Sequence, residues 1–432
     1  MREDIKSRIK EVRNGEVPAE YKKVHPYVVP KDWSVGKLGS ITKRTSRLNK
    51  DGQERPAYSI NNRKGFVPQS EQFEEGSYQD LDKSAYKIVR KGEFAYNPAR
   101  VNVGSIGRLR DKDEVIVSSL YVCVSVDDKV DGEYFDAWTK TRDFYKETVR
   151  NTEGSVREYL FYENFANMRI PLPPLAEQQK IAEILATCDR VIELKQQLLE
   201  EKRRQKQWLM QNLLDPNSGI RLPGFEDSVW KTATIASLFT VGSSMAKSRD
   251  ELSADGDLYL HYGDIHANSR YYIDAKAEYD AVPKYNGTSL EKTHLRTGDV
   301  VFVDASEDYE GISKFVVIEN CDDLTFISGL HTLPCHSRDD RLTLHFKRYC
   351  FQAYPFKKQM AFYANGMKVY GISERDLGKI AITFPGHEEQ KAIADVLDAI
   401  SLNIELLEKE VAEIGNKKKA LMQLLLTGLV RV

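Results

Sequence analysis

One segment of this chain occurs twice. The stretches 170–214 (IPLPPLAEQQKIAEILATCDRVIELKQQLLEEKRRQKQWLMQNLL) and 382–426 (ITFPGHEEQKAIADVLDAISLNIELLEKEVAEIGNKKKALMQLLL) align without a gap, 212 residues apart. About 17 of the 45 positions are identical, which indicates an internal duplication. Each copy follows a long stretch of different composition. We therefore expect two globular parts, each followed by a long helix, with an approximate twofold axis within one chain. Such a molecule suits a bipartite target.

Apolar residues in both copies recur in steps of three and four, which predicts a narrow apolar seam on each helix. A rise of about 1.5 Å per residue makes each helix roughly 50 Å long. Neither helix can bury its seam alone, so we predict that they pair antiparallel. The alternative is that each packs only on its own domain. The seam residues are Ile181, Ile184, Leu185, Cys188, Val191, Ile192, Leu198, Leu199, Leu209, Met210, Leu213 and Leu214 in the first copy, and Ile393, Val396, Leu397, Ile400, Ile404, Leu407, Val411, Ile414, Leu421, Leu424 and Leu425 in the second.

The globular parts carry short β-like runs separated by glycine and polar turns, which predicts an α+β fold. The clearest runs are 115–126, 298–304 and 313–319. The repeat extends to a tryptophan near the start of each part, because Trp33 and Trp230 are each followed five residues later by an aliphatic side chain.

These boundaries divide the chain into five parts. We predict an N-terminal helix and connector (1–28), a first globular domain (29–169), a first long helix (170–215), a second globular domain (216–381) and a second long helix (382–432). The predicted architecture is two globular domains separated by a pair of long antiparallel, coiled-coil-like helices.

Composition narrows the possible partners and the compartment. The 63 Lys and Arg residues nearly balance the 65 Asp and Glu residues, so the chain as a whole has no positive field that would indicate nucleic acid. No apolar run approaches the roughly 18 residues that a membrane span needs. The N-terminus has no apolar signal region, and the five scattered cysteines are typical of reduced thiols. We therefore expect a cytoplasmic protein.

Catalytic motifs are weak or missing. The Asn97-Pro98-Ala99-Arg100 run lacks the second proline and the aromatic of adenine methyltransferase loops, and a turn after a strand explains it better. The chain has no phosphate-binding loop with a Gly-Lys-Ser/Thr ending. His331, Cys335 and His336 lack a second ligand pair with zinc-like spacing. We therefore predict no catalytic residues, no metal and no cofactor on this chain.

Recognition of DNA is the function that remains, and basic residues interspersed with amides and hydroxyls favour it. Lys and Arg contact phosphates, Arg reads guanine, and Asn or Gln reads adenine. The alternative is that these loops are merely solvated surface. The predicted DNA-contact residues are Lys43, Arg44, Arg47, Lys50, Arg55, Asn62, Arg63, Lys64, Arg100, Asn102 and Arg108 in the first domain, and Ser244, Lys247, Arg249, Asn268, Arg270, Tyr271, Lys284 and Tyr285 in the second.

Three motifs point to one family. PLPPLAEQ (171–178) and its repeat before the second helix, RLPGFEDSVW (221–230) and the closing LLTGLVRV (425–432) together resemble the specificity subunit of type I restriction-modification systems. The second repeat departs from the first by having Gly386-His387 in place of Pro174-Leu175.

The resemblance implies two target-recognition domains, each reading one half of a split double-stranded DNA sequence, with the paired helices setting the spacer. It also implies docking of two modification subunits, which bind S-adenosylmethionine and methylate adenine N6. Restriction subunits would add translocation and cleavage driven by ATP and Mg. Two other classes stay open: a coiled-coil scaffold that binds no DNA, and a divergent DNA methyltransferase or nuclease fusion.

Overall fold

Two structural units are built from different stretches of the chain. Unit 1 consists of Met1–Gln196 and Glu410–Val432, and unit 2 consists of Gln197–Lys409. The computed structural model describes residues 3–51, 53–72, 83–153, 159–308, 310–366 and 369–432. Both long helices contribute residues to both units.

Short strands and helices follow each other in the first part of the chain, up to the first long helix. In chain order they are α1 (Glu3–Arg13), β1 (Tyr21–Val24), β2 (Tyr27–Pro30), β3 (Ser34–Lys37), β4 (Thr42–Thr45), β5 (Ala57–Asn61), β6 (Gly65–Pro68), α2 (Gln69–Gln72), β7 (Lys87–Arg90), β8 (Phe94–Tyr96), β9 (Ile106–Arg108), β10 (Glu114–Val117), β11 (Val122–Val126), α3 (Gly132–Thr139), α4 (Arg142–Asn151), α5 (Tyr162–Phe165), β12 (Arg169–Leu172) and α6 (Leu175–Leu213).

The second part of the chain has a similar succession. Its elements are β13 (Lys231–Thr234), α7 (Ile235–Leu238), β14 (Phe239–Val241), β15 (Asp257–Leu260), α8 (Tyr262–Ala267), β16 (Tyr272–Asp274), β17 (Lys284–Tyr285), β18 (Val300–Val303), β19 (Ala305–Ser306), β20 (Phe315–Glu319), β21 (Phe326–Ser328), β22 (Thr332–Ser337), α9 (Leu344–Cys350), α10 (Tyr354–Tyr363), β23 (Tyr370–Gly371), α11 (Glu374–Lys379), β24 (Ala381–Phe384) and α12 (His387–Leu426).

The sheets of the two units have matching topology. In unit 1 one sheet has the order β4-β11-β8-β9 with antiparallel pairs, and unit 2 has β14-β22-β18-β20 with the same pairing plus β16 at the edge. A second sheet contains a parallel pair, β5–β10 in unit 1 and β15–β21 in unit 2. A two-stranded ribbon, β3–β12 or β13–β24, leads directly into each long helix. The duplication therefore includes the globular parts.

Three sequence expectations need correction. The run 115–126 is two strands rather than one, because a turn at 118–121 sends β10 and β11 into different sheets. The predicted connector within 1–28 also contains most of a hairpin, since β1 pairs with β2 from Tyr21↔Pro30 to Val24↔Tyr27. Each long helix begins a few residues later than predicted, because the residues before it belong to the β-ribbon.

Each unit has a core to which both long helices contribute. In unit 1 Ile181 near the start of α6 is buried in the same cluster as Leu425 near the end of α12. In unit 2 Ile393 near the start of α12 is buried in the same cluster as Leu213 at the end of α6. Burial of apolar side chains is the main stabilising term, so neither core is complete without a segment from each helix.

Within each unit the two helices run antiparallel, as predicted. Lys195 pairs with Glu410 (2.6 Å) and Asp189 pairs with Lys418 in unit 1. Arg203 pairs with Glu408 (2.7 Å) in unit 2. The helices have 39 and 40 residues, or roughly 60 Å at 1.5 Å per residue, somewhat longer than expected.

The predicted seam is wrong at two positions. The periodicity places Val191 and Leu198 in the seam, yet both side chains are exposed. In this stretch ion pairs such as Lys195–Glu410 join the two helices, while the buried apolar residues of the helices are concentrated in the two cores that they share with the globular domains.

A glutamine at the equivalent position of each repeat, Gln178 or Gln390, hydrogen-bonds the start of the long helix to the neighbouring backbone. Gln178 donates from Nε2 to the Pro173 carbonyl (2.9 Å) and accepts from the Asp131 N–H at Oε1 (2.9 Å). Gln390 donates to the Pro385 carbonyl (2.9 Å) and accepts from the Thr343 N–H (2.8 Å). The Gly386-His387 departure therefore leaves the geometry at the start of the helix unchanged.

A buried carboxylate next to this glutamine holds a tryptophan in each unit. Glu177 accepts from Trp33 Nε1 (2.9 Å) and from Arg431 (2.7 Å), whose guanidinium lies over the indole. In unit 2 Glu389 accepts from Trp230 Nε1 (3.3 Å), and Arg221 lies over that indole. Trp230 is covered by Arg221 of its own motif and Trp33 by Arg431 of the closing motif, so both units build the same kind of contact.

Replacing Gln390 with alanine removes the partner of three backbone groups, the buried Pro385 carbonyl and the partly buried Arg341 carbonyl and Thr343 N–H. Unsatisfied buried groups cost about 1–3 kcal/mol each, so we expect Gln390→Ala to lower the thermal unfolding midpoint by roughly 5 °C or more. Calorimetry measures this. The matched control is Gln196→Ala on the exposed face of α6, where a surface substitution shifts stability by about 0.5 kcal/mol or less. Equal midpoints for the two variants would contradict the role of Gln390.

Candidate nucleic-acid interface

A groove in unit 1 brings together four segments that are distant in the sequence. Its walls are the turn between β5 and β6, the segment 101–107, the exit of β9 at 108–112 and the junction of α3 and α4 at 139–145. Its volume is about 720 Å³. Of the predicted contact residues, the groove collects Asn62, Arg63, Lys64, Asn102 and Arg108.

The turn between β5 and β6 is held rigid while its side chains face solvent. Asn61 Oδ1 accepts hydrogen bonds from the N–H groups of Arg63 (2.9 Å) and Lys64 (3.1 Å). Gly65 closes the turn with φ of 70°, which glycine adopts without steric cost. Asn62, Arg63 and Lys64 are exposed at the tip.

The segment after β8 supports this hairpin from below. Ser105 Oγ donates to the Ile60 carbonyl (2.8 Å). Gly104 has φ of 94°, and a Cβ placed there would lie 3.1 Å from the Asn62 carbonyl oxygen. Glycine at this position therefore lets the backbone approach the hairpin closely.

The basic side chains of the groove fall into two sets, one paired with carboxylates and one unpaired within the described residues. Arg108 pairs with Glu133 (2.5 Å), and Asp136 binds both Arg110 (2.7 Å) and Lys140 (2.6 Å). Burial would raise the pKa of the Asp136 carboxyl, but Lys140 and Arg110 hold it below its ordinary value, so the carboxylate stays charged. Arg63, Lys64 and Lys112 are exposed and have no ion-pair partner among the residues that the structure describes.

Other predicted residues of unit 1 lie away from the groove. Lys43 and Arg44 are on β4, at the opposite edge of its sheet from β9 and therefore roughly 14 Å from Arg108. Arg44 pairs with Glu163 (3.4 Å), and Lys50 is exposed in the loop before β5. Arg100 lines a smaller cavity of about 110 Å³, which shares Asn62 with the groove.

Two predicted arginines are committed to structural ion pairs. Arg55 is largely buried and binds Asp51 (2.7 Å) and Glu114 (3.0 Å). Arg47 pairs with Glu93. These guanidinium groups can reach DNA only by giving up their carboxylates.

In unit 2 the predicted residues form two groups. Lys247 pairs with Glu251 (2.8 Å) and lies over the Tyr285 ring, and Arg249 pairs with Asp264 (2.7 Å) nearby. Ser244 is exposed on the segment leading to them.

The second group stabilises the fold around β16. Asn268 Oδ1 accepts from the N–H groups of Arg270 and Tyr271, and Tyr271 has φ of 65°. Arg270 pairs with Glu278 (2.5 Å). Lys284 is buried against the Tyr279 ring.

Equivalent strands lead into different loops in the two units. In unit 1 β5 turns directly into β6, whereas in unit 2 α8 and β16 lie between β15 and β17. Both β5 and β15 pair in parallel with the equivalent strand of the same sheet. The scaffold is repeated while the exposed connection is not.

Sequence reasoning missed Arg110, Lys112, Lys140 and Tyr145 in the groove. One signal was present, since Arg108, Arg110 and Lys112 alternate along an extended segment, and alternate residues of such a segment face the same side. Lys140 and Tyr145 had no comparable signal, because they come from helices that only the fold brings to the groove.

His331 and His336 each contact one aspartate, and Cys335 is buried in the core. His331 lies 3.0 Å from Asp304, and His336 lies 2.8 Å from Asp299. Cys335 is buried, which raises its pKa. Within the described ranges no group of three or more His, Cys, Asp or Glu is arranged to hold a metal ion.

None of the helices in the described ranges combines the length and apolar character that crossing a membrane requires.

Replacing Gly104 with alanine should disturb the hairpin support. Gly104 has φ of 94°, which is strained for alanine, and the added Cβ would lie 3.1 Å from the Asn62 carbonyl oxygen. We therefore expect the free energy of unfolding to fall by about 1–3 kcal/mol and the unfolding midpoint to drop. Gly386→Ala is the control, because Gly386 has no positive φ and open space around its Cβ position. Circular dichroism melts compare them. A midpoint for Gly104→Ala equal to that of the control would show that the close approach is unimportant.

Comparison with known proteins agrees with this architecture. Residues 30–202 and 228–416 match the model of the type I restriction modification DNA specificity domain. The chain is 24% identical to the type I restriction enzyme MjaVIII specificity subunit of Methanocaldococcus jannaschii, over 95% of this chain and 96% of that protein.

Solved structures show the same fold. The HsdS subunit from Thermoanaerobacter tengcongensis superposes with a TM-score of 0.53 at 18% identity, covering 94% of this chain and 99% of that one. A chain from a study of complex assembly and conformational transition of the type I R-M system superposes with a TM-score of 0.58 at 17% identity, covering 94% of this chain and all of that one.

The family match covers most of the chain in two tandem copies, as the internal repeat requires. Neither a scaffold without DNA binding nor a fused methyltransferase or nuclease is favoured by it. The chain therefore belongs to the DNA specificity subunits of type I restriction-modification systems, which recognise DNA sequence and are not themselves catalytic.

Proposed function

We propose that this chain recognises a bipartite double-stranded DNA sequence, with the domains 29–169 and 216–381 each reading one half. The repeat is the observation that carries the proposal. Equivalent strands β5 and β15 stand on a repeated scaffold but lead into different loops. Side chains in such loops determine which bases are read, so the two half-sites should differ in sequence.

In the first domain the groove is the proposed contact surface. Arg63, Lys64 and Lys112 are exposed and free of carboxylates in the described part of the chain, so DNA binding at these side chains breaks no ion pair there. Asn62 and Asn102 add amides between these cations. Arg108 and Arg100 border this region, while Lys43, Arg44 and Lys50 extend the proposed surface toward β4.

In the second domain the proposed surface centres on Lys247 and Tyr285, with Ser244 and Arg249 beside them. A lysine over an aromatic ring presents both a charge for phosphate and a flat face for a base or sugar. Asn268, Arg270, Tyr271 and Lys284 remain proposed contacts, although their present interactions hold the fold around β16. Arg47 and Arg55 of the first domain likewise remain proposed contacts, although each is ion-paired with a carboxylate.

The long helices are the proposed docking surfaces for two modification subunits. Leu194 on α6 and Leu406 on α12 occupy equivalent repeat positions, and both are about half exposed. Leu198 and Leu402 extend these apolar patches. Exposed apolar patches repeated in this way suit two copies of one partner.

The chemistry of the proposed complex lies in other chains. We propose S-adenosylmethionine on the modification subunits, and ATP and Mg on restriction subunits, in the cytoplasm. This chain would contribute sequence choice and geometry.

The test is binding with the modification subunit. We expect the assembled pair to protect one bipartite sequence from nuclease digestion and to methylate it. The control carries the same DNA with both half-sites scrambled. Protection that ignores sequence would overturn the proposal.

The spacer should follow the length of the helices. Removing seven residues from each helix, 200–206 and 407–413, takes out about two turns while nearly preserving the faces of the helices, and it leaves the four exposed leucines of the docking patches in place. We expect the spacer to shorten by roughly 10 Å, or about three base pairs, with both half-sites unchanged. Mapping methylated adenines in DNA from cells expressing the variant measures it. A changed half-site with the original spacer would contradict the ruler role.

A further inference from the structure

We propose that the hairpin of β5 and β6 is the element that enters the DNA major groove in the first half-site, with Asn62 and Arg63 hydrogen-bonding base edges. This inference rests on the proposed function and assigns its base-reading side chains. It also separates them from the residues that contact phosphates.

The hairpin has a suitable shape. β5 pairs antiparallel with β6 from Tyr58↔Pro68 to Asn61↔Gly65, and β6 is the edge strand of its sheet. The B-DNA major groove is about 12 Å wide and admits a two-stranded ribbon. The turn therefore belongs to a hairpin at the edge of its sheet, and its exposed tip borders the groove.

The tip is preorganised for binding. Asn61 satisfies the turn through its own side chain, and Ser105 anchors the Ile60 carbonyl. A rigid turn loses little conformational entropy when it binds.

The side chains at the tip are of the types that read bases, and they are available. Asn forms two hydrogen bonds with adenine and Arg forms two with guanine. The Asn62 amide and the Arg63 guanidinium have no hydrogen-bond partner among the residues that the structure describes. Arg55 and Arg108 show the contrast, because each binds a carboxylate.

The flanking lysines fit phosphates instead. Lys64 and Lys112 are exposed on the same groove and are unpaired within the described residues. Lysine presents a point charge with no planar fork, so it adds affinity without strong sequence preference. Arg63 and Lys112 should therefore respond differently to substitution.

The hairpin reads only one of the two half-sites. In unit 2, within the described range 159–308, α8 and β16 separate β15 from its antiparallel partner β17. A substitution at the unit 1 hairpin should leave the other half-site as it was.

The experiment uses the full chain assembled with its modification subunit. Methylated adenines are mapped first for the wild type, and binding is then measured on DNA carrying each single base change, over a range of salt. The variants are Arg63→Ala, Arg63→Lys and Asn62→Ala, with Lys112→Ala as the matched control from the same groove. Thermal melts confirm that each variant is folded.

We expect Arg63→Ala to lose about 10- to 100-fold discrimination at one guanine of one half-site, and Asn62→Ala to lose it at an adenine of the same half-site. Arg63→Lys keeps the charge, so the discrimination should fall while the salt dependence stays the same. Lys112→Ala should weaken binding to all sequences alike and reduce the salt slope by about one.

Two outcomes would overturn the inference while leaving the proposed function intact. One is that Arg63→Ala reduces only the salt slope and keeps the discrimination. The other is that the altered base lies in the other half-site. A wild type without sequence preference would instead contradict the proposed function itself.

Discussion

The buried carboxylate at the start of each long helix is the interaction on which the rest of this molecule depends. Glu177 lies between the Trp33 indole and the Arg431 guanidinium, and all three belong to unit 1. A buried charge is costly unless it is paired and hydrogen-bonded, so this carboxylate requires both partners. The contact thereby ties the C-terminal residues to the first domain.

The neighbouring glutamine adds orientation to this attachment. Gln178 and Gln390 each join the first turn of a helix to a backbone N–H of the globular domain and to the preceding proline carbonyl. Because both cores also combine a segment from each helix, the helices cannot shift without exposing apolar surface. The scaffold is stabilised by interactions that leave the exposed loops free to differ, and recognition is proposed for those loops.

The architecture could be predicted because its signals are local and periodic. A sustained three-and-four spacing identifies long helices whatever they pack against, and a gapless repeat identifies duplication directly. Expectation and structure differ where contacts between distant parts of the chain determine which residues are buried and where a strand ends. Val191 and Leu198 fit the periodicity but lie on the outer side of the helix, and the run 115–126 fits one strand but is interrupted by a turn.

The candidate site was only partly predictable. Composition identifies arginines suited to DNA but does not say which are occupied. Arg55 looks as available as Arg63 in the sequence, yet its carboxylate partner Glu114 lies 59 residues away and reaches it only in the folded sheet. Lys140 and Tyr145 reach the groove through a helix junction that composition does not locate.

The amino-acid sequence alone establishes the duplication, the two long helices and the family. Each of these depends on the pattern of neighbouring residues or on the constant distance along the chain between the two repeats. The tertiary structure decides which basic side chains form ion pairs with carboxylates and which remain exposed at the β5–β6 turn. The reason is physical: the state of a charged group depends on whatever lies within a few ångströms of it, and those neighbours come from distant parts of the chain.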